Sequence, residues 1–356
     1  MDQKPEILPA PLASAGDKRP HQRRPRYGGK YPRHFKEKYK EHNPERYPQT
    51  IRKVLDAGKT PAGTHRPIMV EEVLAVLGPR PGETAVDCTV GYGGHTEALL
   101  VSVLPGGRIV AIDQDPIELS KTETRLRAAG FGPEVLSCQR SNFAGLSQIL
   151  ARCGLAGVDM LLADLGVSSM QLDDPLRGFS TRQDGPLDMR MNPGRGRSAA
   201  DLLKSIAPER LTRLLRENAD EPFADLIGMS LAGRQISTTR GLAQAIHTLL
   251  RKNNHAESEQ SIRRTFQALR IAVNDEFSAL KELLRQAPIW LKPGGRIAVL
   301  TFHSGEDRLV KAAFAEGARS GVYEGISREV IRPTPSERHT NPRSAAAKLR
   351  WARRSR

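Results

Sequence analysis

The chain has 356 residues, 38% of them hydrophobic, and a formal net charge of +15, which suffices for one large or two modest buried cores. No apolar run approaches the roughly 20 residues that span a bilayer, and Met1 to Gly16 lacks the basic-then-apolar order of a secretory signal. A cytoplasmic location without a membrane partner is therefore expected. Three unevenly spaced cysteines, Cys88, Cys138 and Cys153, form no C-x-x-C pair, so neither a disulfide framework nor a metal site is expected.

The charge sits at the two ends. Residues 1–66 hold 16 Lys and Arg against 7 Asp and Glu, and residues 327–356 hold 9 against 2, which leaves the middle at −1. Basic arms on a neutral body suit a polyanion, although they also serve solubility alone. Residues 1–60, rich in Pro, Gly, Lys and Arg with Tyr27, Tyr31, Phe35, Tyr39 and Tyr47 interleaved, read as a disordered basic arm. Residues 327–356 read as a basic carboxy-terminal segment.

From Arg66 the pattern alternates. A helix over Met69 to Leu77 precedes a strand, Thr84 to Cys88, and a helix from Thr96 to Val103 precedes a strand, Arg108 to Ile112. A helix from Pro116 to Ala129, a strand from Val135 to Gln139, a helix from Phe143 to Arg152 and a strand from Val158 to Ala163 follow. This order predicts an α/β fold with a doubly wound parallel sheet. After Asp164 the alternation stops, and residues 172–257 read as an inserted helical domain. Ser198, Pro208 and Thr238 or Thr239 open helices there over Ala199 to Lys204, Glu209 to Asn218 and Gly241 to Leu250. A long helix from Ser261 to Ala287, a turn over Leu291 to Gly295 and a strand from Arg296 to Thr301 resume the first domain, which is thereby placed at 61–171 and 258–326.

Two stretches carry chemistry. Asp87-Cys88-Thr89-Val90-Gly91-Tyr92-Gly93-Gly94-His95 lies where a strand turns into a helix, the place that holds the adenosine end of a cofactor in doubly wound folds. Asp113, at the end of the next strand, fits the acidic residue that holds ribose hydroxyls. A nicotinamide dinucleotide is the competing ligand, but Thr96 stands where the third glycine of that motif belongs. Asp87, just ahead of the loop, suits a cationic ligand such as S-adenosylmethionine. The second stretch, Asp164-Leu165-Gly166-Val167-Ser168-Ser169-Met170-Gln171, follows the fourth strand. A carboxylate there can accept the protons of an exocyclic amine, whose lone pair is otherwise delocalised into its ring.

Further stretches, Gln171-Leu172-Asp173-Asp174, Arg177-Gly178-Phe179-Ser180, Asp184 to Met191, Arg264 to Arg270 and Phe302-His303-Ser304, complete a pattern that resembles the ribosomal RNA small subunit methyltransferase H, or MraW, family over about His65 to Arg350. The resemblance implies a class I, Rossmann-like methyltransferase that uses S-adenosylmethionine and no metal. The implied reaction is methylation at N4 of a cytosine in the decoding centre of 16S ribosomal RNA, within the small ribosomal subunit, and a homodimer is admissible. Carried over, it implies cofactor contacts at Gly93, Gly94, His95, Asp113, Phe143, Asp164 and Gln171, with Phe143 placed to pack on adenine. Asp164 is the catalytic candidate, and His303, at the end of the last core strand, is a second one for holding the target base. Arg177, Arg182, Arg190, Arg195 and Arg197 cluster at the start of the insert as candidate RNA contacts, with local neutralisation by Asp173, Asp174, Asp184 and Asp188 as the bland alternative. A non-catalytic assembly factor would not need the acidic and glycine positions, and a DNA amino-methyltransferase would show an Asp-Pro-Pro-Tyr-like motif where Asp164-Leu165-Gly166-Val167 stands.

Overall fold

The computed structural model describes residues 67–356, and the expected arm over residues 1–60 lies outside the described residues. The short apolar runs form strands β1 (Thr84–Asp87), β2 (Arg108–Asp113), β3 (Leu136–Arg140), β4 (Val158–Asp164) and β5 (Leu291–Thr301). They pair in parallel in the order β3-β2-β1-β4-β5. Between them run α1 (Val70–Leu77), α2 (Gly94–Val103), α3 (Pro116–Ala128) and α4 (Leu146–Arg152). Alternate side chains divide into two apolar layers: Val86, Val110, Leu161 and Val299 pack into one, Ala85, Ile109, Met160 and Ala298 into the other. Both faces are covered by helices, which is why the central strands β2 and β4 read as nearly continuous apolar runs and not as an alternation. The doubly wound α/β expectation holds.

The insert has its own core, built by α5 (Ser169–Asp173), α6 (Ala199–Ser205), α7 (Pro208–Ala219), α8 (Ala224–Leu231), α9 (Thr239–Leu249) and most of α10 (His255–Asn274). The sequence missed α8, which starts at Phe223 with no side-chain cap to mark it. The helix expected over Ser261 to Ala287 is two helices, α10 and α11 (Glu276–Trp290), broken at Asp275, which adopts a left-handed φ of 51°. Ile262, Phe266 and Leu269 of α10 are buried in the insert core. The insert therefore extends to Asp275 instead of ending at residue 257, because the apolar face of α10 packs on α7 and not on the sheet.

Two further corrections fall at the carboxyl end. The turn expected over Leu291 to Gly295 lies inside β5: Leu291 pairs with Val158 and Arg296 with Met160, so the intervening residues bulge out of the ladder. After α12 (Ser304–Arg319) and β6 (Tyr323–Ile326), the presumed basic segment forms α13 (Pro335–Thr340) and β7 (Lys348–Arg354). Strand β7 runs antiparallel between β5 and β6 and completes a seven-stranded sheet. Its four cations hid it. Leu349 and Ala352 are fully buried, and the Arg350 guanidinium enters the fold on Asp307, 2.6 Å away.

Candidate active site

Strands β1 and β4 are neighbours whose following connections diverge, and a crevice opens at their carboxyl ends, where ligands bind in such sheets. A cavity of about 360 Å³ occupies it. The Gly91 to His95 loop forms one wall. Gly93 caps α2 with a φ of 84°, and a β-carbon there would lie 2.6 Å from Thr122 Cγ2, so only glycine lets the loop turn against α3. Asp87 is not part of the cavity lining. It is 1% exposed and accepts from the Thr96 hydroxyl at 2.6 Å and the Thr89 amide at 3.0 Å, so it ties the loop down from below, and burial raises its pKa. Its assignment to a cationic ligand is therefore corrected. Thr96, which disfavoured a dinucleotide, is the partner that replaces the third glycine.

Asp113 lines the cavity at the end of β2. Its carboxylate accepts from the amides of Gly91 and Asp115, both at 2.8 Å, and burial pushes its pKa up to about 6 against those hydrogen bonds. Phe143 opens a single 3-10 turn after β3, capped by Asn142, and presents a half-buried ring to the same space. Asp164, at the end of β4, is fixed by its amide donating to Thr89 Oγ1 at 2.6 Å. Its Oδ2 lies 3.6 Å from Nε2 of buried His95, while its buried Oδ1 has no hydrogen-bond partner among the described residues. Burial alone would lower the His95 pKa, but the pull of Asp164, together with Asp87 and Glu337, outweighs it and raises the imidazole above its ordinary range.

Gly93, Gly94, His95, Asp113, Phe143, Asp164 and Gln171 thus all line one cavity. The amide of Gln171 is committed, however: its oxygen accepts from Ser168 N in the capping box of α5, and its nitrogen donates to Asp115 at 2.8 Å. Gln171 shapes the wall more than it offers free polar atoms.

His303 is not among the cavity-lining residues. It caps α12, its Nε2 sits 3.2 Å from Glu306 Oε1, and its ring lies 5.7 Å from that of Phe277. The neighbours Phe302 and Glu306 reach the cavity in its place, which corrects the expectation that His303 faces the crevice. Burial would raise the Glu306 pKa, yet His303, Arg270 and the Phe302 amide hold it below the usual range.

The five candidate RNA arginines separate. Arg177 is buried at 8% exposure, pairs with Asp115 at 2.8 Å, and donates to the carbonyls of Arg190 and Met191, so it is a strut and not an RNA contact. Arg190 forks onto both oxygens of Asp188. Arg182 is exposed, with Asp173 4.0 Å away, and Arg195 and Arg197 are exposed without an ion-pair partner among the described residues. Sequence reasoning gave no role to Arg270 or Arg343, both cavity-lining. Arg270 lies in the quoted Arg264 to Arg270 stretch, whereas Arg343 arrives by the return of the chain through α13 and pairs with Asp173 at 2.7 Å.

The sequence profile of the MraW methylase family matches residues 62–355. The chain belongs to this family. It is 48% identical over 341 residues to ribosomal RNA small subunit methyltransferase H 1 of Lachnoclostridium phytofermentans, covering 93% of each chain. It is also 48% identical over 340 residues to ribosomal RNA small subunit methyltransferase H 2 of Alkaliphilus metalliredigens, covering 93% of this chain and 97% of that one. Among solved structures, a putative rRNA-methylase from Clostridium thermocellum aligns with a TM-score of 0.39 and 12% identity over 82% of this chain and 99% of that chain. As a methylase of this family the protein is an S-adenosylmethionine-dependent rRNA methyltransferase. The residues present fit that cofactor: an aromatic ring at Phe143, a carboxylate acceptor at Asp113 and a tight glycine turn share a cavity with Asp164, whose buried Oδ1 has no partner among the described residues.

Proposed function

We propose that the protein methylates N4 of a cytosine in the decoding centre of 16S ribosomal RNA, acting on the small ribosomal subunit. The observation that carries this reading is the Asp164 carboxylate, which lines the cavity and whose buried Oδ1 has no hydrogen-bond partner among the described residues. Such an oxygen is costly unless a donor arrives, and an exocyclic amine is a donor of the right kind. S-adenosylmethionine, when bound, supplies an activated methyl group. Asp113 would hold its ribose hydroxyls, Phe143 would pack on its adenine, and the Gly91 to His95 loop would follow its backbone side. Asp164 would accept one N–H of the cytosine amine, which withdraws the nitrogen lone pair from the ring and aims it into the cavity; the surplus proton of the methylated amine passes to water. Mass spectrometry of small-subunit RNA from cells with and without the gene tests the reading, and a cytosine methylated equally in both would overturn it.

Two expectations follow for binding. Asp113→Ala weakens S-adenosylmethionine affinity by about 1.5–3 kcal/mol, the range for a hydrogen bond to a charged group. In the wild type the ionised Asp113 is the acceptor, so affinity is flat above pH about 6 and falls about tenfold per unit as the pH drops below it. Calorimetry across pH checks both, and a flat profile in the wild type would remove Asp113 from the ribose.

Arg195 and Arg197, exposed and without an ion-pair partner among the described residues, would meet phosphates of the substrate. Changing both to Ala should leave cofactor affinity and melting temperature as they are and raise KM for small subunits. A wild-type KM would place recognition elsewhere on the insert.

A further inference from the structure

Beside the cofactor cavity lies a second one of about 390 Å³ that none of the chemistry above uses. One wall is a single face of α10: Glu259, Arg263, Phe266, Gln267 and Arg270 recur every three or four residues. The eleven helical rises from Glu259 to Arg270 give it a length of about 16 Å, more than a single base needs. The opposite wall is Phe179 to Arg182. Gly178 makes that wall, since its φ is 73° and a β-carbon there would lie 2.2 Å from the Pro186 carbonyl oxygen.

The composition of this groove is specific. Its floor is apolar: Phe179 and Phe266 line it, with most of each ring packed into the insert core. Its rim holds two exposed guanidiniums, Arg182 and Arg263, with no ion partner for Arg263 among the described residues. An apolar floor under a cationic rim suits single-stranded nucleic acid, with base faces over the floor and phosphates on the cations. At its inner end the groove shares Val167, Leu172 and Arg270 with the cofactor cavity. The Arg270 guanidinium is pinned there by both oxygens of Glu276 at 2.8 Å, so it stands as a fixed flat partition and not a mobile tether.

We propose that this groove seats the unpaired RNA segment next to the methylated nucleotide: its bases lie over the apolar floor, its phosphates meet Arg182 and Arg263, and the acceptor base passes Arg270 into the cofactor cavity. The proposal rests on the reading of that cavity as a site of methyl transfer to RNA. Glu259, held at 3.0 Å by His247, is the one carboxylate among the described residues that line the groove, and it repels phosphate from its own stretch of the wall.

The test uses the full chain and a short single-stranded RNA carrying 4-thiouridine beside a cytidine. Photo-crosslinked peptides should fall within Phe179 to Arg182 and Arg263 to Arg270. The double change Arg182→Ala and Arg263→Ala, both at exposed positions, should flatten the slope of log affinity against log salt by about 1.4, the loss of two single-strand phosphate contacts. S-adenosylmethionine affinity should not move. Crosslinks confined to other surfaces, or an unchanged salt slope, would overturn the groove. Absence of methyl transfer to small subunits by the wild type would instead overturn the reaction assigned above, and the crosslinks would still decide the groove on their own.

Discussion

Asp164→Asn is expected to slow methyl transfer by on the order of 10²–10³-fold, the usual loss when one preorganised partner of a reacting group is removed. The amide keeps the size of the side chain and can keep the place of Oδ1, but it is a weaker acceptor and brings two N–H donors toward an amine that also donates. Melting temperature should change little. His95 is the reason to check it, because its raised pKa depends on the Asp164 carboxylate. In the wild type that pair adds stability that is complete below the ordinary imidazole value of 6.5 and is lost as pH rises through the higher folded value. Without the carboxylate, burial keeps the imidazole neutral, and this pH-dependent part disappears. Single-turnover transfer from labelled cofactor, together with melting curves on either side of neutrality, separates the two effects. A wild-type rate with an altered melting profile would make Asp164 only the companion of His95.

Arg177→Ala is expected to cost about 3–5 kcal/mol of stability, the range for removing one partner of a buried ion pair. The melting temperature would fall by about 4–8 °C in a chain of this size. Asp115 is fully buried, and besides pairing with Arg177 it caps α3 by accepting from the amides of Ile117 and Glu118. Removing the guanidinium leaves that carboxylate uncompensated and releases the carbonyls of Arg190 and Met191, which hold the loop into the insert. Arg177→Lys should fall between the two, since it restores a charge without the fork. An Arg177→Ala protein that melts like the wild type but binds small subunits weakly would return Arg177 to the RNA surface.

That the glycine turn, Asp113, Phe143 and Asp164 would meet around one cavity was legible before any fold was known, and the reason is local. The glycine turn, Asp113 and Asp164 each sit at the end of an apolar strand, and in a parallel sheet all such ends meet along one edge. Side chains whose roles depend on a partner far along the chain were less readable. The spacing of Arg177, Arg182, Arg190, Arg195 and Arg197 suggested one cationic cluster. Yet two of the five are neutralised by Asp115 and Asp188, and nothing in the order of residues says which aspartate turns toward which arginine. His303 followed the last core strand as Asp164 followed β4, and the same rule put both in the crevice. The capping geometry of α12 turned the imidazole onto Glu306 instead.

By itself, the sequence determined the doubly wound α/β class, the sheet edge at which the cavity opens and the family, because apolar periodicity, turn glycines and strand-end carboxylates act over a few neighbouring residues. Tertiary structure alone decided that α10 belongs to the insert, that residues 348–354 close the sheet, and that Arg270 stands between two cavities. Those outcomes depend on which apolar face finds a partner and which charge finds a counter-charge. Both are settled by packing between segments as far apart as Asp173 and Arg343, where linear order carries no information about distance.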